Sequence, residues 1–322
     1  MPWRDHPTPY YVWISEIMAQ QTRIDTVMGY FERFIQTFPT IEALANASEE
    51  TVLKQWQGLG YYSRARNIHK LAQIIMNDYQ GELPQTYQEL LSLPGIGPYT
   101  AGAIASIAFG QIALAIDGNV NRVIARVYGI KDDLSTRVSQ RLIEEKVAAL
   151  ISQDRPGDFN QGLMEIGALV CIPNGAPKCM ECPLQEACVA YNKQLTDVIP
   201  MKKKKITVKV EPRTVIVMRY GHEIAIRKRP SQGLLASLYE VLNVEGHWDV
   251  EDIVQFVPNL SSIYLLMDHQ HVYSHLIWQM KGYVVDVKDK DPNWVWVNQE
   301  EVIHRYAIPN AFQPFIENVL EK

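Results

Sequence analysis

Two glycines one residue apart, in Leu93-Pro94-Gly95-Ile96-Gly97-Pro98-Tyr99-Thr100-Ala101-Gly102, constrain this chain more than any other feature. Upstream, Thr86 and Glu89 form a capping box that opens a helix before Leu90, Leu91 and Leu93. Downstream, Pro98 suits the first turn of a second helix, where its missing N–H would have had no partner. The segment therefore predicts a helix, a tight hairpin and a second helix. Gly95 and Gly97 leave backbone amides uncovered at the second helix N-terminus, and such amides suit a DNA phosphate. An ordinary helical turn is the alternative. The cap, the proline and the small residues Ala101, Gly102 and Ala105 favour the phosphate reading.

Around this unit, residues 1–192 read as almost continuous helix. Thr8 before Pro9 signals a cap, and Val12, Ile17, Met18, Ile24, Val27, Met28, Phe31 and Phe34 recur at roughly helical spacing. Ser48 caps a helix that Gly58 ends, and another runs from about Tyr62 to Tyr79 and stops at Gly81. Four consecutive lysines, Lys202 to Lys205, mark a linker placed at residues 193–212. Beyond it the apolar pattern switches to period two. Thr214 to Arg219, Glu223 to Arg227, His275 to Met280, Tyr283 to Val287 and Trp294 to Val297 read as strands, so residues 213–322 form a smaller α+β domain.

With 322 residues and 47% apolar side chains, the chain can fill two cores. Its net charge of -5 gives no global basic footprint, so any nucleic-acid contact must come from local patches. The longest weakly polar stretch, Ala101 to Ile116, is too short to span a bilayer, and no membrane segment is expected. Met1 to Tyr10 shows no signal-peptide pattern, which makes a cytoplasmic location the expectation.

Two further segments carry chemistry. In Ala115-Ile116-Asp117-Gly118-Asn119-Val120 an apolar approach ends on a carboxylate beside a flexible turn. Taken alone, Asp117 reads as a helix cap; the hairpin upstream shifts the balance towards a ligand-facing, partly desolvated group. All four cysteines fall at Cys171, Cys179, Cys182 and Cys188, a C-x7-C-x2-C-x5-C spacing. Two disulfides would suit a secreted domain, whereas in a reducing compartment the cluster points to metal ligation. Zinc and an iron-sulfur cluster both accept four sulfurs.

A helix-hairpin-helix, a downstream Asp and four cysteines, in that order, resemble the endonuclease III superfamily of base-excision DNA glycosylases, which carry a 4Fe-4S cluster. Within it, Ser15 to Thr22 (SEIMAQQT), Gly58 to Asn67 (GLGYYSRARN) and Asp117 to Val120 are similar to the adenine DNA glycosylases of the MutY type. The resemblance covers nearly the whole chain. It implies a mostly α fold, a helix-hairpin-helix glycosylase domain with an iron-sulfur cluster loop, followed by an α+β Nudix-like domain. It also implies double-stranded DNA containing adenine opposite 8-oxoguanine as the substrate, and a nucleoid-associated bacterial-type setting; protein partners stay unknown.

Breaking the bond between adenine N9 and deoxyribose C1' leaves positive charge on the sugar and negative charge on the base, so an acid and an anion are both needed. By resemblance Glu16 protonates adenine at N7, and Asp117 stabilises or transiently bonds to the oxocarbenium-like sugar, with Asn119 and Tyr99 arranging its surroundings. Apolar neighbours Trp13, Ile14, Ile17 and Met18 would raise the Glu16 pKa. The resemblance further places Trp3, Arg4, Ile24 and Gln161 around the adenine, Gln21, Thr22, Leu59 and Tyr61 around the opposite base and the stack, and Gly95 and Gly97 on DNA. Arg64 and Arg66 read either as phosphate contacts or as caps of a neighbouring element. Bifunctional relatives carry a Lys directly after the hairpin, whose amine forms a Schiff base. This chain has Tyr99 there, which implies a monofunctional enzyme that leaves an abasic site.

In the second domain, Tyr273-Ser274-His275 resembles the family's Phe-Ser-His lesion-recognition loop, with Tyr for Phe. Glu240 stands without the glutamate series of a true Nudix hydrolase, so hydrolase chemistry is not expected, and Leu234, Leu235, Leu238 and Tyr239 read as core. The chain departs from the family at Ala19, where Leu is usual, and in starting at Met1-Pro2-Trp3-Arg4 without the short helix that usually precedes Pro-Trp-Arg. Its first cysteine gap is one residue longer than the family's. The competing readings are a superfamily glycosylase for thymine or oxidised pyrimidines, and a DNA-damage binding module without chemistry. Gln20-Gln21-Thr22 and the long second domain oppose the first, and the pairing of Glu16 with Asp117 opposes the second.

Overall fold

Among the residues that the computed structural model describes, 1–5, 7–201, 208–257 and 259–320, every regular element before Lys209 is helical. Thr8 caps the helix Pro9–Ala19 by accepting from the Tyr11 N–H. The apolar recurrence from Val12 to Phe34 is broken there: the chain turns at Gln20 to Arg23, with Gln21 at φ +57°, before the helix Ile24–Thr37. Ser48 caps Glu49–Gln55, the next long helix is Ser63–Asp78, and the Thr86–Glu89 capping box opens Tyr87–Ser92.

The hairpin follows. Gly95 adopts φ +83°, a region closed to most L-residues, and the chain reverses into the helix Pro98–Ile107. From Ala108 to Asp117 no regular element forms. Buried Asn160 supplies what a β-ladder would have given: its Oδ1 accepts from the Ala115 N–H at 3.3 Å, and its Nδ2 donates to Ala113 O and Ser106 Oγ, both at 2.8 Å.

The chain divides into two units, Met1–Ala45 with Lys70–Lys204, and Asn46–His69 with Lys205–Lys322. The segment around Leu59 and Tyr61 thus belongs with the C-terminal residues. Lys202 to Lys205, the expected mark of the linker, lie outside the described residues.

The second unit is built on a mixed sheet. Its strands are β1 (Lys209–Tyr220), β2 (Glu223–Lys228), β3 (Tyr239–Glu240), β4 (Leu242–Glu245), β5 (Leu260–Val272), β6 (Leu276–Val287) and β7 (Val295–Val297), ordered β3-β2-β1-β6-β5, with β4 paired to β1 and β7 to β2. β1 and β6 are parallel, with Lys209 opposite Leu276 and Arg219 opposite Asp286. Period-two alternation buries both faces. Val215 and Val217 pack with Phe315, Ile316 and Val319 of the helix Gln313–Leu320, whereas Ile216 and Met218 pack with Ile253 of the helix Val250–Phe256. Leu238 is buried, and Leu234, Leu235 and Tyr239 pack against the first of these cores.

Two expected strands, His275 to Met280 and Tyr283 to Val287, are one continuous β6. Lys281 and Gly282 resemble a turn in sequence, yet Gly282 sits mid-strand because a Cβ there would lie 2.4 Å from the Phe315 ring. Gly282→Ala is expected to cost about 1 to 3 kcal/mol by overpacking, read as a lower denaturant midpoint for the second unit. β5 has no clean alternation in sequence: among the described residues it pairs with β6 alone, and its register slips between Leu260 and Ser262 and between Leu265 and Met267.

Candidate functional site

Three elements of the first unit deliver the acidic site. Glu16 lies on the third turn of Pro9–Ala19, Tyr99 on the first turn of Pro98–Ile107, and Asp117 at the N-cap of the helix Gly118–Tyr128. The Tyr99 hydroxyl donates to Glu16 Oε2 and stands 3.6 Å from Met164 Sδ. Burial pushes the Glu16 carboxyl above the ordinary carboxylate range; the Tyr99 hydrogen bond and the Arg4 charge oppose this, and the negative Asp117 adds to it. Burial, and then the Glu16 charge, raise the Tyr99 phenol far out of the titrating range.

Asp117 caps its helix, as the residue-by-residue reading allows, and also faces the other carboxylate. Its Oδ1 accepts from the Val120 N–H at 2.7 Å and its Oδ2 from Asn119 Nδ2 at 2.8 Å. Asn119 can present that amide because its own Oδ1 accepts from Arg122 Nη2 at 2.7 Å. Arg122 further donates to Gly167 O at 2.8 Å and Cys171 O at 2.7 Å. A Cβ on Gly167 would lie 2.5 Å from Asn119 Cβ, so the π-helical turn Ile166–Val170 reaches Asn119 only because position 167 is glycine. Sequence reasoning missed Arg122. Its one available signal was its position three residues after Asn119, one helical turn on.

Around the carboxylates, Trp3 is buried against Phe31, edge to face at 5.0 Å, and Arg4 pairs with Glu165. Gln161 turns its amide to Gly157 O at 3.3 Å, and Ile24 is exposed at the start of its helix. Gln21 is exposed at its positive φ, and Thr22 donates to Gln20 O at 3.4 Å. At the hairpin, Gly97 N-caps without a side-chain acceptor, and a Cβ added there meets open space, so the first amides of Pro98–Ile107 face outward.

The four cysteines line one cavity with Val123, Arg126, Ile166 and Leu184. Arg126 Nη1 lies 3.2 Å from Cys171 Sγ, and burial followed by the neighbouring Cys171, Cys188 and Cys182 raises the Cys179 thiol. No disulfide forms among them. Among the described residues no three His, Cys, Asp or Glu side chains converge on a single-ion position, and no helix is long and apolar enough to cross a membrane.

The second unit holds its own cavity, of about 420 Å³, lined by residues of four segments: Gly60 to Ser63 with Arg66, Gly233 to Ala236, His271 to His275, and Pro309 with Asn310. The Tyr61 hydroxyl is 2.8 Å from Ser274 Oγ, whereas Leu59 is buried. Tyr273 lies edge-on to Trp278 at 5.1 Å, with its hydroxyl buried and unpartnered among the described residues. His275 is exposed on the cavity rim. Both arginines satisfy carbonyls: Arg64 bonds Leu59 O and Gly60 O, and Arg66 bonds Ala236 O at 2.8 Å. Glu240 is buried and engaged by Arg227, Arg229 and Asn243.

Residues 14–149 match the model of the HhH-GPD superfamily of base excision DNA repair proteins, and residues 213–318 match a NUDIX domain. The adenine DNA glycosylase of Buchnera aphidicola subsp. Baizongia pistaciae is 34% identical over 301 residues, covering 93% of this chain and 82% of that one. The human adenine DNA glycosylase is 34% identical over 369 residues, covering 94% and 67%. A thermostable thymine-DNA glycosylase superposes with a TM-score of 0.55 at 31% identity, over 60% of this chain and 88% of that one. Endonuclease III in a non-covalent DNA complex gives 0.52 at 27%, over 59% and 87%. With matches of this identity running over nearly its whole length, the chain belongs to the adenine DNA glycosylases of the helix-hairpin-helix base-excision repair superfamily.

Proposed function

We propose that this glycosylase removes adenine paired with 8-oxoguanine by hydrolysing the N9–C1' bond, and that it leaves the strand uncut. The observation that carries this reading is the pair of carboxyls in one site. Burial favours the protonated form of Glu16, the form that can give a proton to adenine N7; Asp117 is held by two N–H donors at a helix N-terminus, where its carboxyl can serve the sugar. Tyr99 orients Glu16 through its hydrogen bond and offers no amine, so no imine forms at C1'. A single-turnover assay on duplexes with adenine opposite 8-oxoguanine tests both parts. The expected product is an abasic strand that breaks only on alkali treatment; breakage without alkali overturns the monofunctional reading.

Lesion reading falls to the second unit. Tyr61 and Ser274 share a hydrogen bond at the wall of one cavity, which supports reading the opposite-base segment and the Tyr273-Ser274-His275 loop as parts of a single reader. 8-Oxoguanine differs from guanine by a C8 carbonyl and an N7 hydrogen, and the Ser274 hydroxyl can serve either. Ser274→Ala with His275→Ala is expected to lower the preference for adenine opposite 8-oxoguanine over adenine opposite guanine by about tenfold. An unchanged preference, measured at fixed salt, overturns this role.

Cys171, Cys179, Cys182 and Cys188 suit a 4Fe-4S cluster. Four thiols line one cavity, and the Arg126 guanidinium supplies positive charge for an anionic group. Bound there, the cluster would supply a fixed conformation for residues 171–188. Anaerobically prepared protein is expected to hold about four iron per chain; stoichiometric zinc without iron overturns the assignment.

A further inference from the structure

We infer that Lys54 is a positioning residue for lesion specificity, the anchor that sets Tyr61 against Ser274; the inference rests on the lesion-reading role proposed for their cavity. Lys54 is not among the described residues that line that cavity. It lies in the last turn of the helix Glu49–Gln55, and its Nζ donates to three acceptors: Gln57 Oε1 at 2.7 Å, Tyr306 O at 2.9 Å and Val302 O at 3.0 Å. Burial brings the ammonium down to about 8, so it is still charged at neutral pH and all three bonds are charge-assisted. Val302 belongs to the last turn of the helix Gln299–His304, where carbonyls lack intrahelical partners and a cation is favoured.

The segment after Lys54 needs such an anchor. Tyr61 stands at φ +48°, a conformation that residues other than glycine rarely adopt, and a strained residue keeps its place only where the surrounding contacts over-determine it. Trp56 Nε1 donates to Gly60 O at 3.0 Å, and Arg64 bonds Leu59 O and Gly60 O. These bonds shape the segment internally without fixing where it stands. Lys54 does fix it, because it joins Gln57 to the Tyr306 backbone, and Tyr306 is buried in the core that also holds Trp278, with Tyr273 packed against it. Ser274 follows Tyr273 directly, so the anchor and the reader loop share one support. The Lys228 pair with Glu50 joins the same two stretches of chain, but both its side chains are exposed, where an ion pair contributes little.

The test measures single-turnover adenine release by the full chain at pH 7 and fixed salt, on duplexes with adenine opposite 8-oxoguanine and opposite guanine. Lys54→Met keeps the length of the side chain and removes the donors. It is expected to lower the preference for the 8-oxoguanine duplex about fivefold, the weight of one hydrogen bond, here that of Tyr61 with Ser274. In a Ser274→Ala background the same substitution is expected to lower the preference no further, since the contact it serves is already gone. Gln57→Met, which leaves Lys54 bound to both carbonyls, is the second variant and is expected to share the loss; it decides the matter if Lys54→Met does not fold. A role in stability alone would lower the melting temperature and leave the ratio of the two rates unchanged. An unchanged ratio in the folded variants, or an equal loss with and without Ser274, overturns the inference. Ser274→Ala that keeps the parental preference overturns instead the lesion-reading role on which it rests.

Discussion

Asp117→Asn is expected to lower adenine release by about a thousandfold while binding of a lesion duplex persists, because the change removes the transition-state anion and keeps its shape. The geometry makes the substitution more than a lost charge. Asp117 presents two acceptor oxygens, one to the Val120 N–H and one to Asn119 Nδ2. The introduced amide has one oxygen, and Asn119 cannot turn over to offer its own, because Arg122 holds Asn119 Oδ1 at 2.7 Å. One N–H donor is left unpaired, which adds about 1 to 3 kcal/mol of destabilisation. Single-turnover rates alongside binding to an uncleavable duplex check this. Release at the parental rate removes Asp117 from the chemistry.

The hairpin, the capping box and the strand alternation of β1 were legible because each rests on local rules. Thr86 and Glu89 bond each other across one turn, and Gly95 takes the positive φ that its neighbours forbid. What escaped rests on distant partners. Gly282 reads as a strand end until Phe315, thirty-three residues on, is seen against it. Arg122 carries no local signal of its role, yet its guanidinium spans Asn119, Gly167 and Cys171. The grouping of Asn46–His69 with the C-terminal unit is of the same kind. Lys54 Nζ donates to Val302 O and Tyr306 O, Arg66 to Ala236 O, and Lys228 pairs with Glu50, none of which has a local sequence signal. For Glu16 the raised carboxyl was legible in its apolar helix neighbours, whereas the Tyr99 donor and the Arg4 charge that oppose it come from other helices and were not.

The burial of Glu16 makes Glu16→Gln the sharper probe. Adenine release is expected to fall by about 10² to 10⁴, the usual contribution of a positioned acid. Stability should move the other way, with a sign set by proton linkage. The folded carboxyl titrates above its ordinary value of 4.5, chiefly through burial, so the folded state holds this proton more tightly than the unfolded chain. The favourable contribution is complete below about pH 4.5 and is lost as pH rises through the folded pKa, because a desolvated anion must then be carried. Glutamine carries none, and its Oε1 can still accept from the Tyr99 hydroxyl. The Tm difference between variant and parent is therefore expected to be near zero in acid, to grow with pH and to level off once Glu16 is ionised. The parental release rate should fall over the same window, while the residual rate of the variant stays flat. A Tm difference that does not change with pH would show that Glu16 titrates as an ordinary carboxylate, and the acid role would then pass to another group.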